Sequence, residues 1–339
     1  TRANVEHQGS LAIDCVIDEG LDPTAELPFK GDMSLDKLGA AWERYGDRIP
    51  FVMLTITNNS GGGQPVSMGN IRAVSAFCAD KGLPLIFDAC RFAENAWFIK
   101  RREDGYADKS IKEIAQEIFS HGNGCTMSAK KDALVNIGGF LCLENDEWAQ
   151  DITNLLILIE GFRTYGGLAG RDMAAVAQGL REVTDDDYLT YRIGQVRRMG
   201  EQMTAKGVPI IKPTGGHAVY VDAKAMLPHI PQSQFPAQAL ACALYLKGGV
   251  RGVEIGSLMF AGTDADTGET TYPAMELVRL AVPRRVYTET HLEYVAEVCG
   301  ELAALGERLN GMEIIFEAPV LRHFTARLKP LGGGALIKE

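Results

Sequence analysis

The chain has 339 residues, 46% of them apolar and 23% charged, with a formal net charge of −10. That length can bury a large core and fill two domains. The acidic balance argues against a nucleic-acid or anionic-membrane partner, and no apolar run reaches the ~20 residues that cross a bilayer.

Phe51 to Thr57 is a short β-rich apolar run that predicts a buried strand. A polar, glycine-rich stretch follows, Asn58-Asn-Ser-Gly-Gly-Gly-Gln-Pro65. A helix is expected from an N-cap at Ser67 to Asp80, stopped by Gly82, with Ile71, Val74, Phe77 and Cys78 on one face. Pro84 to Phe87 reads as a second strand and ends in Asp88-Ala-Cys-Arg91. A helix over Ser110 to Ser120 leads to a strand at Gly124 to Met127, which ends in Ser128-Ala-Lys-Lys131-Asp132. A further strand, Leu134 to Leu143, is expected directly after it.

Helices dominate from Asp146 to Lys206, broken between Gly161 and Gly170, and the apolar stretch Leu155 to Ile159 reads as a buried helix. A second alternation starts near Val208. It comprises a strand at Ala218 to Asp222, a helix from Pro236 to Leu246, strands near Val253 and over Leu277 to Val282, a helix from Thr288 to Leu309, and a strand at Glu313 to Phe316. Strands alternating with helices predict an α/β fold with a mainly parallel sheet in its first domain and a smaller C-terminal α/β domain. The boundary is placed near residue 180.

The seven cysteines, Cys15, Cys78, Cys90, Cys125, Cys142, Cys242 and Cys299, form no C-x-x-C pair and no zinc-ligand spacing. Their odd number in a long chain fits reduced thiols in a cytoplasmic protein. The opening Thr1-Arg-Ala-Asn-Val5 reads as the middle of a longer protein.

In parallel sheets, ligands gather at the carboxyl ends of the strands, and three polar clusters are predicted at such ends. Asp88 closes a strand, where a buried carboxylate is costly unless paired. A protonated ring nitrogen would be a suitable partner, and Arg91 lies three residues on. Ser128 can donate to a phosphate, while a lysine in Lys130-Lys131 can form an imine with an aldehyde. Strand-Asp-x-x-Arg, helix, strand-Ser-x-x-Lys is thus a possible pyridoxal-phosphate arrangement. By spacing alone, an ordinary strand-end aspartate and a solvated lysine pair explain the same residues.

Longer stretches carry more. Thr1-Arg-Ala-Asn-Val-Glu-His-Gln-Gly9, Gly62-Gly-Gln-Pro-Val-Ser67, Arg91-Phe-Ala-Glu-Asn95, Met127-Ser-Ala-Lys-Lys-Asp132, Thr164-Tyr-Gly-Gly-Leu168, Gly215-Gly-His-Ala218, Phe235-Pro-Ala-Gln-Ala-Leu-Ala241 and Leu321-Arg-His-Phe-Thr-Ala326 occur in one order. Through them almost the whole chain resembles the tryptophanase and tyrosine phenol-lyase family of β-eliminating lyases. The resemblance implies a fold-type I pyridoxal-phosphate enzyme with a large cofactor-binding domain over 1–180 and a small domain over 181–339. It also implies a cytoplasmic homotetramer activated by potassium.

The resemblance also implies roles. Lys131 would bind the cofactor, with Lys130 tuning it. Ser128 would contact the phosphate and Asp88 the ring nitrogen, while Arg91 and Asn59 would hold the ring oxygen. Arg279, with Asn59, would bind the substrate carboxylate. Tyr165 would enter the site from a neighbouring part of the dimer, or else be a packed aromatic. Asn136 would offer a backbone carbonyl to potassium, or else be a strand-end amide. Two positions bear on the leaving group. Ile255 stands where phenol-lyases resemble one another in an arginine, and His323 stands where they carry an aromatic. A missing donor discriminates strongly between substrates, so both point to L-tryptophan. Gly170-Arg-Asp-Met173 is similar to the phenol-lyase version, and Arg163 replaces an expected proline. Tyrosine phenol-lyase activity and a non-catalytic pyridoxal-phosphate-binding protein are the rival readings.

Overall fold

The structure is a computed structural model that describes residues 2–264, 267–319 and 321–338. The chain divides into two compact units. The first comprises Thr1–Gly20, Pro28–Asn58 and Pro65–Leu189; the second comprises Leu21–Leu27, Asn59–Gln64 and Thr190–Glu339.

In the first unit, helices α1 (Arg2–His7) and α2 (Leu35–Tyr45) precede strand β1 (Val52–Thr55). There follow α3 (Met68–Lys81), β2 (Leu85–Asp88), α4 (Phe92–Arg102), α5 (Ile111–Ser120), β3 (Gly124–Ser128), β4 (Gly139–Leu143), α6 (Asp146–Ile159) and α7 (Gly170–Glu182). The sheet runs β1-β2-β3-β4. β1, β2 and β3 pair in parallel, and β4 returns antiparallel to β3.

Local chemistry explains these elements. Ser67 caps α3 by accepting from the Asn70 N–H, and Gly82 ends it in a left-handed conformation. Met68, Ile71, Val74 and Cys78 form the buried face of α3, where each large apolar side chain contributes about 1.5–3 kcal/mol. Ser110 and Glu113 form a reciprocal capping box on α5. Its Ile111, Ile114 and Ile118 are buried at i, i+3 and i+7.

Two expectations are corrected here. The strand expected from Leu134 begins only at Gly139, because residues between Lys131 and Gly138 form a loop stitched by Leu134 N–H to Lys131 O and Ala129 N–H to Gly138 O. The helix containing Leu155 to Ile159 exists as α6 but is not buried. Leu155, Ile157, Leu158 and Ile159 are all exposed, and α6 has no buried residue. Apolarity identified a helix; no described element of this unit covers its greasy face.

Helix α8 (Asp186–Ala205) starts in the first unit and continues into the second. There β5 (Ala218–Asp222), α9 (Ala223–Met226), α10 (Pro236–Gly248), β6 (Val253–Ile255), α11 (Ser257–Phe260), β7 (Gly262–Thr263), β8 (Thr270–Thr271), β9 (Leu277–Ala281), α12 (Glu289–Ala303), β10 (Met312–Phe316), α13 (Arg322–Thr325) and β11 (Arg327–Pro330) follow. An antiparallel sheet runs β5-β9-β6, and β10 pairs with β11. Val219 and Val221 of β5 pack with α10 and α12 in the main core, and Ala218 and Tyr220 enter a second cluster with Ile211, Ile255, Met275 and Leu277. The helix expected to reach Leu309 ends at Ala303, with a separate single turn at Gly306–Arg308. All seven cysteines are free; Cys15, Cys78, Cys125 and Cys299 are buried and Cys142 is exposed. Among the described residues, no helix is long and apolar enough to cross a membrane.

Candidate active site

The parallel sheet sets the carboxyl ends of β1, β2 and β3 side by side. Thr55 lies opposite Asp88, and Asp88 lies opposite Thr126, two residues before Ser128. The polar turns after β2 and β3 therefore meet. Ser128 N–H donates to Cys90 Sγ at 3.2 Å, and Asp132 N–H donates to Cys90 O at 3.2 Å. Asp132 is fully buried, and its Oδ2 accepts from the Ala93 and Glu94 N–H groups at 2.9 and 3.4 Å. It thereby caps the first turn of α4, where N–H groups lack intrahelical acceptors. The segment from Ser128 to Asp132 is bolted at both ends to the segment from Asp88 to Glu94, and Lys131 hangs between the bolts.

Arg91 is buried; its N–H donates to Ile56 O at 3.3 Å, and its Nη1 reaches Thr57 O at 3.5 Å. Asp88 is half-buried. Burial is the largest influence on Lys131 and lowers its proton affinity. Cys90 and Asp88 oppose that shift, while the Arg91 guanidinium adds to it. Arg91 is thus a cation that acts on Lys131; the adjacent Lys130 is exposed. The shift favours the neutral amine, the form that attacks a carbonyl carbon.

This has a measurable consequence. Burying an ammonium disfavours the charged form, so Lys131 deprotonates below the ~10.5 of an ordinary lysine. Its reductive labelling by a small aldehyde is expected to level off at a lower pH than that of surface lysines, as read by peptide mass spectrometry across pH 6 to 11 (a span of roughly the lysine range). A Lys131 profile coinciding with that of the surface lysines would refute the shift.

The second unit holds a different cluster. Asn59 Oδ1 accepts from Arg279 Nη1 at 2.8 Å and from Tyr220 Oη at 3.1 Å. His217 Nε2 lies 2.9 Å from Tyr220 Oη and 3.3 Å from Asn59 Oδ1. Tyr220 on β5 is directly opposite Arg279 on β9, which aligns the two side chains. A guanidinium oriented in this way suits a planar carboxylate. In the same unit His323 Nδ1 lies 3.1 Å from Glu254 Oε2, and Ile255 is 3% exposed within the apolar cluster that includes Tyr220.

The sequence profile of the beta-eliminating lyases matches residues 1–298. The chain belongs to the beta-eliminating lyase family. The lyase is 60% identical to a tryptophanase of Salinibacter ruber over 340 aligned residues, covering 100% of this chain and 72% of that protein. It is 54% identical to a tryptophanase of Hyphomonas neptunium and 51% identical to a tyrosine phenol-lyase of Symbiobacterium, each over 98% of this chain and 72% of the relative.

The family depends on pyridoxal phosphate, and the residues of the lyase fit that group. Its aldehyde requires a partly neutral lysine, its ring nitrogen a carboxylate, and its oxygens cations or hydroxyls. Lys131, Asp88, Arg91 and Ser128 are side chains of these kinds within one unit. Thr57 Oγ1 beside them is buried without a hydrogen-bond partner among the described residues, a state that a polar ligand would relieve.

The other expected residues are placed differently. Tyr165 is partly exposed and meets Phe162 edge-on, with ring centroids 6.0 Å apart. Asn136 is exposed on the turn before β4, and Lys130 is exposed. Among the described residues no group of three or more His, Cys, Asp or Glu side chains is arranged to hold a metal. Sequence reasoning missed Cys90, Asp132, His217, Tyr220 and Glu254 as members of these clusters. The signals were faint: an acidic residue directly after the lysine, a His directly after a glycine pair, and an acid inside the apolar strand β6.

Proposed function

We propose that the lyase catalyses pyridoxal-phosphate-dependent β-elimination of L-tryptophan to indole, pyruvate and ammonia. The observation that carries this reading is the bolted Lys131 turn, which holds a lysine of lowered proton affinity beside Asp88, Arg91 and Ser128. The tryptophanases among its relatives support the choice of substrate.

When bound, pyridoxal phosphate supplies an electron sink for the charge left at the substrate Cα. Asp88 would keep the ring nitrogen protonated, Arg91 and Asn59 would hold the ring oxygen, and Ser128 would donate to the phosphate. Lys131 would bind the cofactor covalently at its aldehyde carbon. Its Nζ, when free, would take the substrate Cα proton. Arg279, steadied by Asn59, would hold the substrate carboxylate. The indole carbon must gain a proton before it can leave. His323 would accept from the indole N–H, and Ile255 adds apolar surface where a phenol would need a donor. Lys130 would tune Lys131 electrostatically, and Tyr165 would act in the site from elsewhere in a homotetramer; the exposed apolar face of α6 is consistent with burial in an assembly. The Asn136 carbonyl would be one of several oxygen ligands of a potassium ion. A cytoplasmic setting would keep the seven free thiols reduced.

The test is to supply pyridoxal phosphate and potassium and assay indole from L-tryptophan and phenol from L-tyrosine. Indole release is expected. The phenol-lyase relatives and the Gly170-Arg-Asp-Met173 segment at the start of α7 favour a second reading, tyrosine phenol-lyase. Phenol without indole would establish it. Failure of borohydride to fix the cofactor on the chain would leave a non-catalytic binding protein.

A further inference from the structure

Glu254 is almost completely buried in β6, and nothing in the proposed chemistry so far uses it. Its two oxygens have distinct partners. Oε1 accepts from the Leu258 N–H at 2.9 Å, and Oε2 lies 3.1 Å from His323 Nδ1. Both sides of this pair are braced. Leu258 belongs to α11, and Arg322, the residue before His323, donates to the carbonyls of Ser257, Leu258 and Ala261 at 2.8 to 3.1 Å. The α13 turn that carries His323 is thereby tied to the α11 turn that fixes Glu254.

A second buried carboxylate lies close by. Glu276 Oε1 accepts from the Ser257 N–H and hydroxyl and from Gln232 Nε2, while Oε2 has no hydrogen-bond partner among the described residues. A Cβ on Gly256 would stand 2.3 Å from Glu276 Oε2 and 2.9 Å from Glu254 Oε1. The bare α-carbon of Gly256 therefore lets both carboxylates approach one point. Burial pushes the Glu276 carboxyl up, and the neighbouring Glu254 pushes it further. The Leu258 N–H fixes Glu254 Oε1 as an acceptor and leaves Oε2 facing His323.

We propose that Glu254 is a positioning residue that fixes the tautomer of His323. A carboxylate oxygen at Nδ1 requires the proton on Nδ1, so the neutral ring presents a lone pair at Nε2. Nε2 makes no hydrogen bond to any described residue. An indole N–H can only donate, so this is the tautomer that can accept from it. The inference rests on the reading of this chain as a tryptophan lyase for its ligand, but not for its geometry.

The backbone makes Glu254→Gln a sharp test. The Leu258 N–H requires an oxygen at the Oε1 position, so the introduced amide nitrogen must face His323 Nδ1. There it donates, and the ring proton moves to Nε2. Shape is kept and polarity is reversed. Nitrogen-15 spectra of the full chain, recorded at about pH 9 where imidazole is neutral and assigned with His323→Gln, are expected to show Nδ1–H in the wild type and Nε2–H in Glu254→Gln.

With cofactor bound, kcat/KM for L-tryptophan is expected to fall about 10- to 100-fold in Glu254→Gln, as for other residues that orient a functional histidine. Elimination from β-chloroalanine, whose chloride leaves without an N–H contact or a proton, should change less than about twofold. In a His323→Gln background, Glu254→Gln should add nothing. An Nε2–H wild-type ring, or equal losses with both substrates, would overturn the proposal. If Glu254→Gln does not fold, the wild-type tautomer alone decides it. If the wild type eliminates chloride but releases no indole, the tryptophan reading fails, and the two spectra still decide the role of Glu254.

Discussion

Lys131→Ala is expected to cut indole release by about 10⁴-fold or more, because one residue would serve as both covalent anchor and proton acceptor. The fold should survive. Lys131 is half-buried on a turn whose bolts are made by Ser128 N–H, Asp132 N–H and the Asp132 carboxylate. None of these involves the lysine side chain. Removing a buried ammonium beside Arg91 also removes an unfavourable charge. The unfolding midpoint should therefore move by less than about 2 °C. Borohydride reduction followed by intact-mass analysis should leave cofactor mass on the wild type and none on the variant. Wild-type turnover in Lys131→Ala would sink the assignment of this lysine.

Gly179→Ala should damage the same turn from a distance. Gly179 lies in α7, and a Cβ there would stand 1.7 Å from the carbonyl oxygen of Ala133 and 2.6 Å from its carbonyl carbon. Ala133 is two residues past Lys131, and its neighbour Leu134 donates its N–H to Lys131 O. A backbone carbonyl cannot rotate away as a side chain can. Either α7 backs off or the lysine turn shifts. Overpacking of this kind costs about 1–3 kcal/mol, against which alanine regains up to about 1 kcal/mol of helix propensity. A net loss of about 2 kcal/mol would lower the unfolding midpoint by about 4–8 °C. A shift of the turn by about 1 Å could cost on the order of 100-fold in turnover. The control is Gly39→Ala in α2, where a Cβ meets nothing within 4 Å; it should be neutral or stabilising. Equal midpoints for the two variants would show that the α7 contact is not tight.

The elements easiest to read in the sequence were those with local signals. Ser67, Gly82 and Ser110 bounded α3 and α5, and β-rich runs marked β1, β2, β3 and β5. The acid, arginine, serine and lysine at strand ends were legible because a parallel sheet brings its carboxyl ends together. Burial was less legible. The α6 stretch and Ile255 are both apolar, yet one is exposed and the other sits in a core. Apolarity records what a residue gains by burial, not whether a neighbour is there to bury it.

The sequence by itself determined the alternation of strands and helices, the membership of a lyase family, and the residue types that a pyridoxal-phosphate site needs. Tertiary structure decided which groups meet. Asn59–Gln64 joins the later unit although it follows β1 in the chain, and so Asn59 reaches Arg279, 220 positions away. Asp132 finds the start of α4, 38 to 39 positions back, and Glu254 finds His323, 69 positions on. Arg91, 40 positions back in the chain, came close enough to act on Lys131. Hydrogen bonds and charges act over a few ångströms, and residues far apart in a chain come that close only when packing closes the loops between them.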